Sequence, residues 1–190
     1  MTRAVFLDRD GVLNEPVIRE GRPYPPSKLE DLKIYPAASA ALARLKHAGF
    51  VLLVVTNQPD VVRGTQARQT VEEMNAKIGA ILPVDGFFVC WHDNADNCDC
   101  RKPKPGLLLS AAAQHQIDLQ SSFLIGDRWR DIDAGAAVGC RTVLVDHDYR
   151  ERLPKHAPDF RANSLQQAVD WIIAVSTTDQ RTKPDLRASS

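Results

Sequence analysis

Short apolar runs alternate along this chain with segments whose apolar residues recur at helical spacing. Residues 4–7, 50–56, 86–90, 122–125 and 142–146 are brief runs rich in Val, Leu, Ile and Phe, the pattern of buried strands. Between and after them, residues 37–48, 66–82, 106–116, 131–138 and 165–175 carry helix formers with helical spacing. Pro36 stands where the first of these helices would start, Gly49 where it would end, and Ser164 where the last would be capped. Strand alternating with helix predicts a Rossmann-like α/β fold, a parallel sheet with helices on both faces. Two segments break the rhythm. Residues 15–32 hold Pro16, Gly21, Pro23, Pro25 and Pro26, which rules out a regular helix or a central strand and predicts a long surface loop. Residues 91–105 are also irregular. Past residue 175 the pattern stops: 176–190 is polar, has no apolar period, and reads as a disordered tail behind a single domain of residues 1–175.

Composition adds limits rather than direction. The 190 residues suit one domain with a sizeable core. Lys plus Arg and Asp plus Glu number 24 each, so the net charge is zero, and nothing favours nucleic acid or an anionic membrane as a partner. The apolar run at 50–55 is far too short to span a bilayer. A strand beginning at residue 4 leaves no space for a signal peptide, so the expectation is a cytoplasmic protein, monomeric or weakly self-associating.

The first apolar run leads straight into Asp8 and Asp10, with Gly11 to turn the chain. Two carboxylates two positions apart at the end of a buried strand are costly unless their charge is compensated. A hard divalent cation such as Mg²⁺ does this through oxygen ligands. Thr56 and Asp127 lie at the ends of other expected strands, and Cys90 closes a further one. In open α/β sheets ligands bind outside the carboxyl ends of the strands, so these polar candidates converge on one sheet edge. Cys90, His92, Cys98 and Cys100 place four thiolate or imidazole ligands within eleven residues, a set that suits a closed tetrahedral Zn²⁺ site. Cys140 stands apart and reads as a buried thiol. His47, His115, His147 and His156 show no ligand spacing and read as surface or helix-end residues.

Asp8-Arg9-Asp10-Gly11-Val12, Thr56-Asn57-Gln58, Arg101-Lys102-Pro103, and Gly126-Asp127 with Asp131 together resemble the haloacid dehalogenase (HAD) superfamily, all four motifs in order. The string Phe6-Leu7-Asp8-Arg9-Asp10-Gly11 resembles the branch that holds histidinol-phosphate and heptose bisphosphate phosphatases, over residues 3–175. The resemblance implies a HAD-type parallel sheet with no large cap domain, and a Mg²⁺-dependent phosphatase working through an aspartyl-phosphate. In such an enzyme Asp8 is the nucleophile. Asp10 is the general acid and then the base, which requires burial or a neighbouring carboxylate to keep its proton. Thr56 and Lys102 hold the phosphoryl group, and Mg²⁺ is bound by Asp8, the backbone carbonyl of Asp10, and Asp127. Asp131 and Asp133 read as first-turn acids that favour the helix dipole, with Asp131 also a candidate to orient the metal's surroundings. The Cys and His set implies a zinc-binding loop beside the active site that leads into Arg101-Lys102.

Arg63-Gly64 follows Thr56-Asn57-Gln58 at the distance seen in heptose 1,7-bisphosphate 7-phosphatases. Arg63 and Arg101 would suit a second phosphate, and Asn57 and Gln58 join them as substrate-binding candidates. Two features differ: Pro59-Asp60 replaces the usual Ser-Gly, and the five residues between His92 and Cys98 resemble the histidinol branch. The expected partner is a small phosphorylated molecule. Heptose bisphosphate comes first and histidinol phosphate second, and a non-catalytic phosphosugar-binding module on the same fold is the third reading.

Overall fold

The computed structural model describes residues 2–181, with side chains as far as Thr177; of the tail expected at 176–190, residues 182–190 lie outside the described residues. In chain order the elements are β1 (Ala4–Leu7), β2 (Val17–Arg19), β3 (Arg22–Tyr24), α1 (Ala38–His47), β4 (Val51–Asn57), α2 (Arg68–Ile81), β5 (Gly86–Cys90), α3 (Gly106–His115), β6 (Phe123–Gly126), α4 (Trp129–Ala136), β7 (Arg141–Val145), β8 (Phe160–Ala162) and α5 (Leu165–Arg181).

Six strands pair in parallel in the order β5-β4-β1-β6-β7-β8. Side chains alternate across a strand, so β1 feeds two cores. Val5 and Leu7, with Leu52 and Val54 of β4, pack against α1, α2 and α5. Ala4 and Phe6, with Leu53 and Val55, pack against α3 and α4. All four β1 residues are fully buried. That is why the run is apolar without alternation, and full burial of Phe6 alone contributes about 1.5–3 kcal/mol. α1 ends as its sequence predicts: Gly49 adopts φ +84 and Phe50 N–H reaches back to Leu45 O at 3.1 Å, satisfying a terminal carbonyl. The strand order reverses at β1. The chain steps outward to β4 and β5 on one side, then returns to β6, β7 and β8 on the other, which opens a crevice at the carboxyl end of β1.

Four differences from the sequence reading have clear causes. The proline-rich segment is not wholly irregular: β2 and β3 form a two-stranded antiparallel hairpin. Its two-residue turn places Glu20 and Gly21 at φ 51 and 76, the geometry that matches strand twist. Pro23 is tolerated because the ribbon has open edges. α4 begins two residues earlier than expected, at Trp129, because the Asp131 carboxylate reaches back to accept the Arg128 N–H at 3.1 Å. β8 is a three-residue edge strand too short to leave a pattern, docked by Asp146 N–H to Ala162 O at 2.8 Å. α5 runs on to Arg181 instead of ending at Val175, with Ser176 buried. Polar composition hid that extension, since a helix already nucleated on a packed face propagates through polar residues. Among the described residues no helix is long and apolar enough to cross a membrane.

Candidate active site

Asp8 is the first residue beyond β1, and its N–H donates to Ile125 O of β6 at 2.9 Å. Its Oδ1 accepts the Arg9 N–H at 2.8 Å and sits 2.9 Å from Lys102 Nζ, which leaves Oδ2 to the crevice. Lys102 Nζ also lies 2.6 Å from Asp131 Oδ1 and donates to Val55 O at 2.6 Å. Burial pushes the Asp8 carboxyl up to about 6. Lys102 pulls it back down, while Asp131 and Asp10 add to the rise. Burial draws the Lys102 ammonium down, but the Asp131 and Asp8 carboxylates outweigh it and hold it above its ordinary value. Lys102 is therefore a charged lysine at the nucleophile.

Asn57, at the end of β4, fixes where that lysine enters. Its Oδ1 accepts the Lys102 N–H and its Nδ2 donates to Lys102 O, both at 3.1 Å. Asn57 also lines the crevice, so part of its expected substrate role is spent on the lysine's backbone. Gln58 departs further from expectation. It is fully buried, and its Nε2 donates to Asp10 Oδ2 and Thr56 Oγ1, each at 2.9 Å. It holds Asp10 and Thr56 in place and does not line the crevice. With Gln58 as its donor, Thr56 keeps its own hydroxyl proton to give away.

The expectation for Asp10 is burial or a neighbouring carboxylate; its side chain is partly buried, close enough to Asp8 to act on it, and also ringed by donors. Arg9, fully buried, donates from Nη2 at 2.9 Å and Nε at 3.2 Å, and Asn14 Nδ2 donates at 2.9 Å. Arg9 Nη1 continues to Asn75 Oδ1 on α2 at 3.0 Å. Arg9, Asn14 and Asn75 escaped the sequence reading. Arg9 is the middle residue of the Asp-x-Asp-Gly string and Asn14 follows it three residues on, but nothing in the spacing shows that they turn inward.

Asp8, Asp127 and Asp131 bring carboxylate oxygens within 4.8 Å of one another. Among the described residues both buried Asp127 oxygens lack a well-formed hydrogen bond, although the Tyr149 hydroxyl lies near enough to act on the carboxylate. Burial, then Asp8 and Asp131, push the Asp127 carboxyl well above its ordinary range. Gly11 leaves space beside it: a Cβ there would lie 1.9 Å from Asp127 Oδ2. Unpaired buried carboxylate oxygens with hard donor character and a cleared approach fit a divalent cation. Asp131, read as a first-turn acid, is almost wholly buried and pairs with Lys102. Asp133, read the same way, turns inward to accept the Lys155 N–H at 2.7 Å. His147 is neither surface nor helix-end: its Nε2 contacts Gly11 O at 2.8 Å and pins the same turn.

The second cluster stands on the loop before Lys102. Sγ of Cys100 lies 3.2 Å from that of Cys90 and 3.4 Å from that of Cys98, and Cys90 to Cys98 is 3.7 Å. His92 Nδ1 lies 3.3 Å from Cys100 Sγ. No disulfide forms among them. Ligands about 2.3 Å from a tetrahedral zinc sit roughly 3.8 Å apart, so the four atoms fit such an ion. Cys140 is separate and buried, and burial pushes its thiol up to about 12.

A small cavity of about 60 Å³ is lined by Asp8, Asp10, Thr56 and Lys102, with Arg128 and Arg130 in its wall. It adjoins a cavity of about 520 Å³, sharing Pro23, Tyr24, Pro25, Asn57, Arg128 and Arg130 with it. The hairpin closes one side through Pro23, Tyr24 and Pro25, and arginines crowd the rest. Arg63 and Arg101 both line this larger cavity. Arg63 gives Nε and Nη2 to Asp93 at 2.7 Å and Nη1 to Asp60 at 3.1 Å. Arg101 donates to Asn94 Oδ1 at 2.9 Å and His92 O at 3.1 Å. Arg128 and Arg130 were not singled out from the sequence, where each is one arginine among many.

A HAD-hydrolase-like family model matches residues 99–168. Over a longer span the chain is 34% identical, across 176 residues, to the D-glycero-beta-D-manno-heptose-1,7-bisphosphate 7-phosphatase of Helicobacter pylori strain J99, covering 90% of this chain and 97% of that protein. The chain belongs to the heptose bisphosphate phosphatase family of HAD-like hydrolases. A second member of the family, the enzyme of the same name from Pseudomonas putida KT2440, is 37% identical over 163 residues, covering 83% and 90% of the two chains. The crystal structure of D,D-heptose 1,7-bisphosphate phosphatase from B. bronchiseptica, complexed with magnesium and phosphate, matches with a TM-score of 0.77 at 26% identity, covering 92% of this chain and 99% of that one.

Proposed function

We propose that this chain is a Mg²⁺-dependent phosphatase that hydrolyses a sugar bisphosphate, D-glycero-D-manno-heptose 1,7-bisphosphate first. The observation that carries the reading is a pocket lined by Asp8 and Lys102 that adjoins, through shared walls, a cavity lined by arginines. Asp8 Oδ2 attacks phosphorus and the bond from phosphorus to the sugar oxygen breaks. Asp10 gives that oxygen its proton. Asp10 then takes a proton from water as the water attacks the aspartyl-phosphate, which releases phosphate and restores Asp8. Thr56 Oγ1 and Lys102 Nζ donate to the phosphoryl oxygens throughout. Asp8, Asp127 and the Asp10 carbonyl would hold Mg²⁺, which supplies neutralisation of phosphoryl charge when bound. Cys90, His92, Cys98 and Cys100 would hold Zn²⁺ as a structural clamp on the loop that delivers Lys102. Thiols kept unpaired for a metal suit a reducing cytoplasm.

The cavity also separates the substrates. Histidinol phosphate carries a cationic amine, and the seven arginines lining the cavity, even with Asp60, Asp93, Asp133 and Glu151 paired to four of them, keep a positive excess that disfavours it. A second phosphate is drawn to the same arginines. Phosphate release in Mg²⁺ is to be measured on heptose 1,7-bisphosphate, fructose 1,6-bisphosphate and histidinol phosphate, with Asp8→Asn as control. The expected order puts the heptose bisphosphate first, and folded Asp8→Asn loses nearly all turnover. Preference for histidinol phosphate would overturn the substrate, and substantial turnover by Asp8→Asn would overturn the covalent mechanism.

A further inference from the structure

Four of the seven arginines lining the cavity already pair with carboxylates. Arg63 is held by Asp60 and Asp93, Arg101 lies 3.8 Å from Asp93, and Arg128 and Arg152 are held by Glu151 and Asp133. Arg130, in the first turn of α4, differs. Among the described residues it has no carboxylate partner, and it is half-buried where Arg22 and Arg150 are exposed. Arg130 and Arg128 are the arginines that line both the nucleophile pocket and the larger cavity. Its guanidinium lies 4.3 Å from the centre of the Trp129 ring. The Arg152 guanidinium lies 3.4 Å from the centre of that same ring, with Asp133 as its anchor at 3.4 Å.

An unneutralised, half-buried guanidinium among other arginines is unfavourable in the empty protein. The π-face of Trp129 holds it there by cation–π attraction, and leaves its planar fork of donors unspent. Resting on the phosphatase reading above, we propose that Arg130 is the specificity-determining residue that reads the second anionic group of the substrate. Trp129 is the positioning residue that carries it. The position suits the role, because Arg130 stands where the phosphoryl pocket meets the cavity and so faces the substrate end that is not being cleaved.

The test compares steady-state kinetics on heptose 1,7-bisphosphate and p-nitrophenyl phosphate for wild type, Arg130→Ala, Trp129→Leu and Trp129→Phe. A charge-assisted pair predicts that Arg130→Ala raises KM for the bisphosphate about ten- to hundredfold more than for the monophosphate. Trp129→Leu should shift the same ratio in the same direction by a smaller factor, and Trp129→Phe, which keeps a π-face, should restore it. Equal KM changes on both substrates, or a fall in kcat alone, would overturn the role of Arg130. A Trp129→Phe variant no better than Trp129→Leu would overturn the role of the ring. The wild-type enzyme judges the parent reading separately. If it hydrolyses fructose 1,6-bisphosphate and not the heptose compound, the heptose assignment fails and the Arg130 comparison is read on the fructose compound. If it hydrolyses only the monophosphate, both fail.

Discussion

Gly11 occupies the most constrained position among the residues around the nucleophile. At φ +93 it adopts a backbone conformation that residues with a Cβ rarely take, and that Cβ would fall 1.9 Å from Asp127 Oδ2. Gly11→Ala should therefore displace Asp127, the carboxylate proposed to hold the cation. The expected outcome is a folded protein, destabilised by about 1–3 kcal/mol from backbone strain, with Mg²⁺-dependent turnover almost abolished. Urea unfolding and a Mg²⁺ titration of activity check the two halves, and a variant with wild-type Mg²⁺ response would refute the constraint. The residues beside it show where reading a sequence stops. Asn57 and Gln58 are chemically near-identical amides in adjacent positions. One clamps Lys102 from 45 residues away while lining the cavity, and the other is sealed beneath Asp10, 48 residues away. Only the direction of each side chain at the end of β4 separates them, and alternation along a strand says which face, not which partner.

Among the elements, the loop between β5 and α3 joins the Cys and His cluster to Lys102 and so, in the proposed reading, would tie metal binding to catalysis. Cys98 and Cys100 lie just ahead of Lys102 in the chain, and Cys90 closes the strand behind. Protein purified without chelator should carry about one zinc per chain, the stoichiometry of a closed four-ligand site, measured by elemental analysis. In the native protein Cys90, Cys98 and Cys100 should resist alkylation until the metal is chelated. Cys140, with its thiol pushed up to about 12 by burial, should resist until the protein unfolds. Free alkylation of the three loop cysteines in a zinc-free native protein would reject the clamp. The hairpin of β2 and β3 is the opposite case. Its prolines removed it from any regular pattern, yet the two-residue turn and the cavity-lining Pro23, Tyr24 and Pro25 give it a defined place over the site.

For the molecule as a whole, folding concentrates negative charge that water would otherwise solvate. Asp8 and Asp127 both titrate above their ordinary range in the folded chain, Asp8 near 6 against 3.8. Between those values the folded state binds more protons than the unfolded one, so metal-free protein should lose stability as pH rises from about 4 through about 6. Asp8→Asn should show a flatter profile. Mg²⁺ binds the folded state and should reverse the loss, by about 2.7 kcal/mol at a hundredfold excess over Kd. Urea midpoints across this pH range, with chelator and then with Mg²⁺, test both statements. Asp127→Asn that still gains the full Mg²⁺ stabilisation would show that the cation binds elsewhere.

Local chemistry was enough to place β1, β4, β5, β6 and β7, all five helices to within a few residues at their ends apart from the longer α5, the acidic turn after β1, and the clustering of Cys90, His92, Cys98 and Cys100. Each of these rests on neighbours a few positions apart, where apolar periodicity, capping residues and ligand spacing are written directly into the chain. The tertiary structure decided what depends on distant partners. It paired Lys102 with Asp131 as well as Asp8, buried Arg9 between Asp10 and Asn75, and turned Gln58 inward. It also selected which arginines face the cavity and which of them are already neutralised. A residue type fixes what a side chain can donate or accept. Its partner depends on strand order and helix packing, and at β1 these bring together segments that lie far apart in sequence.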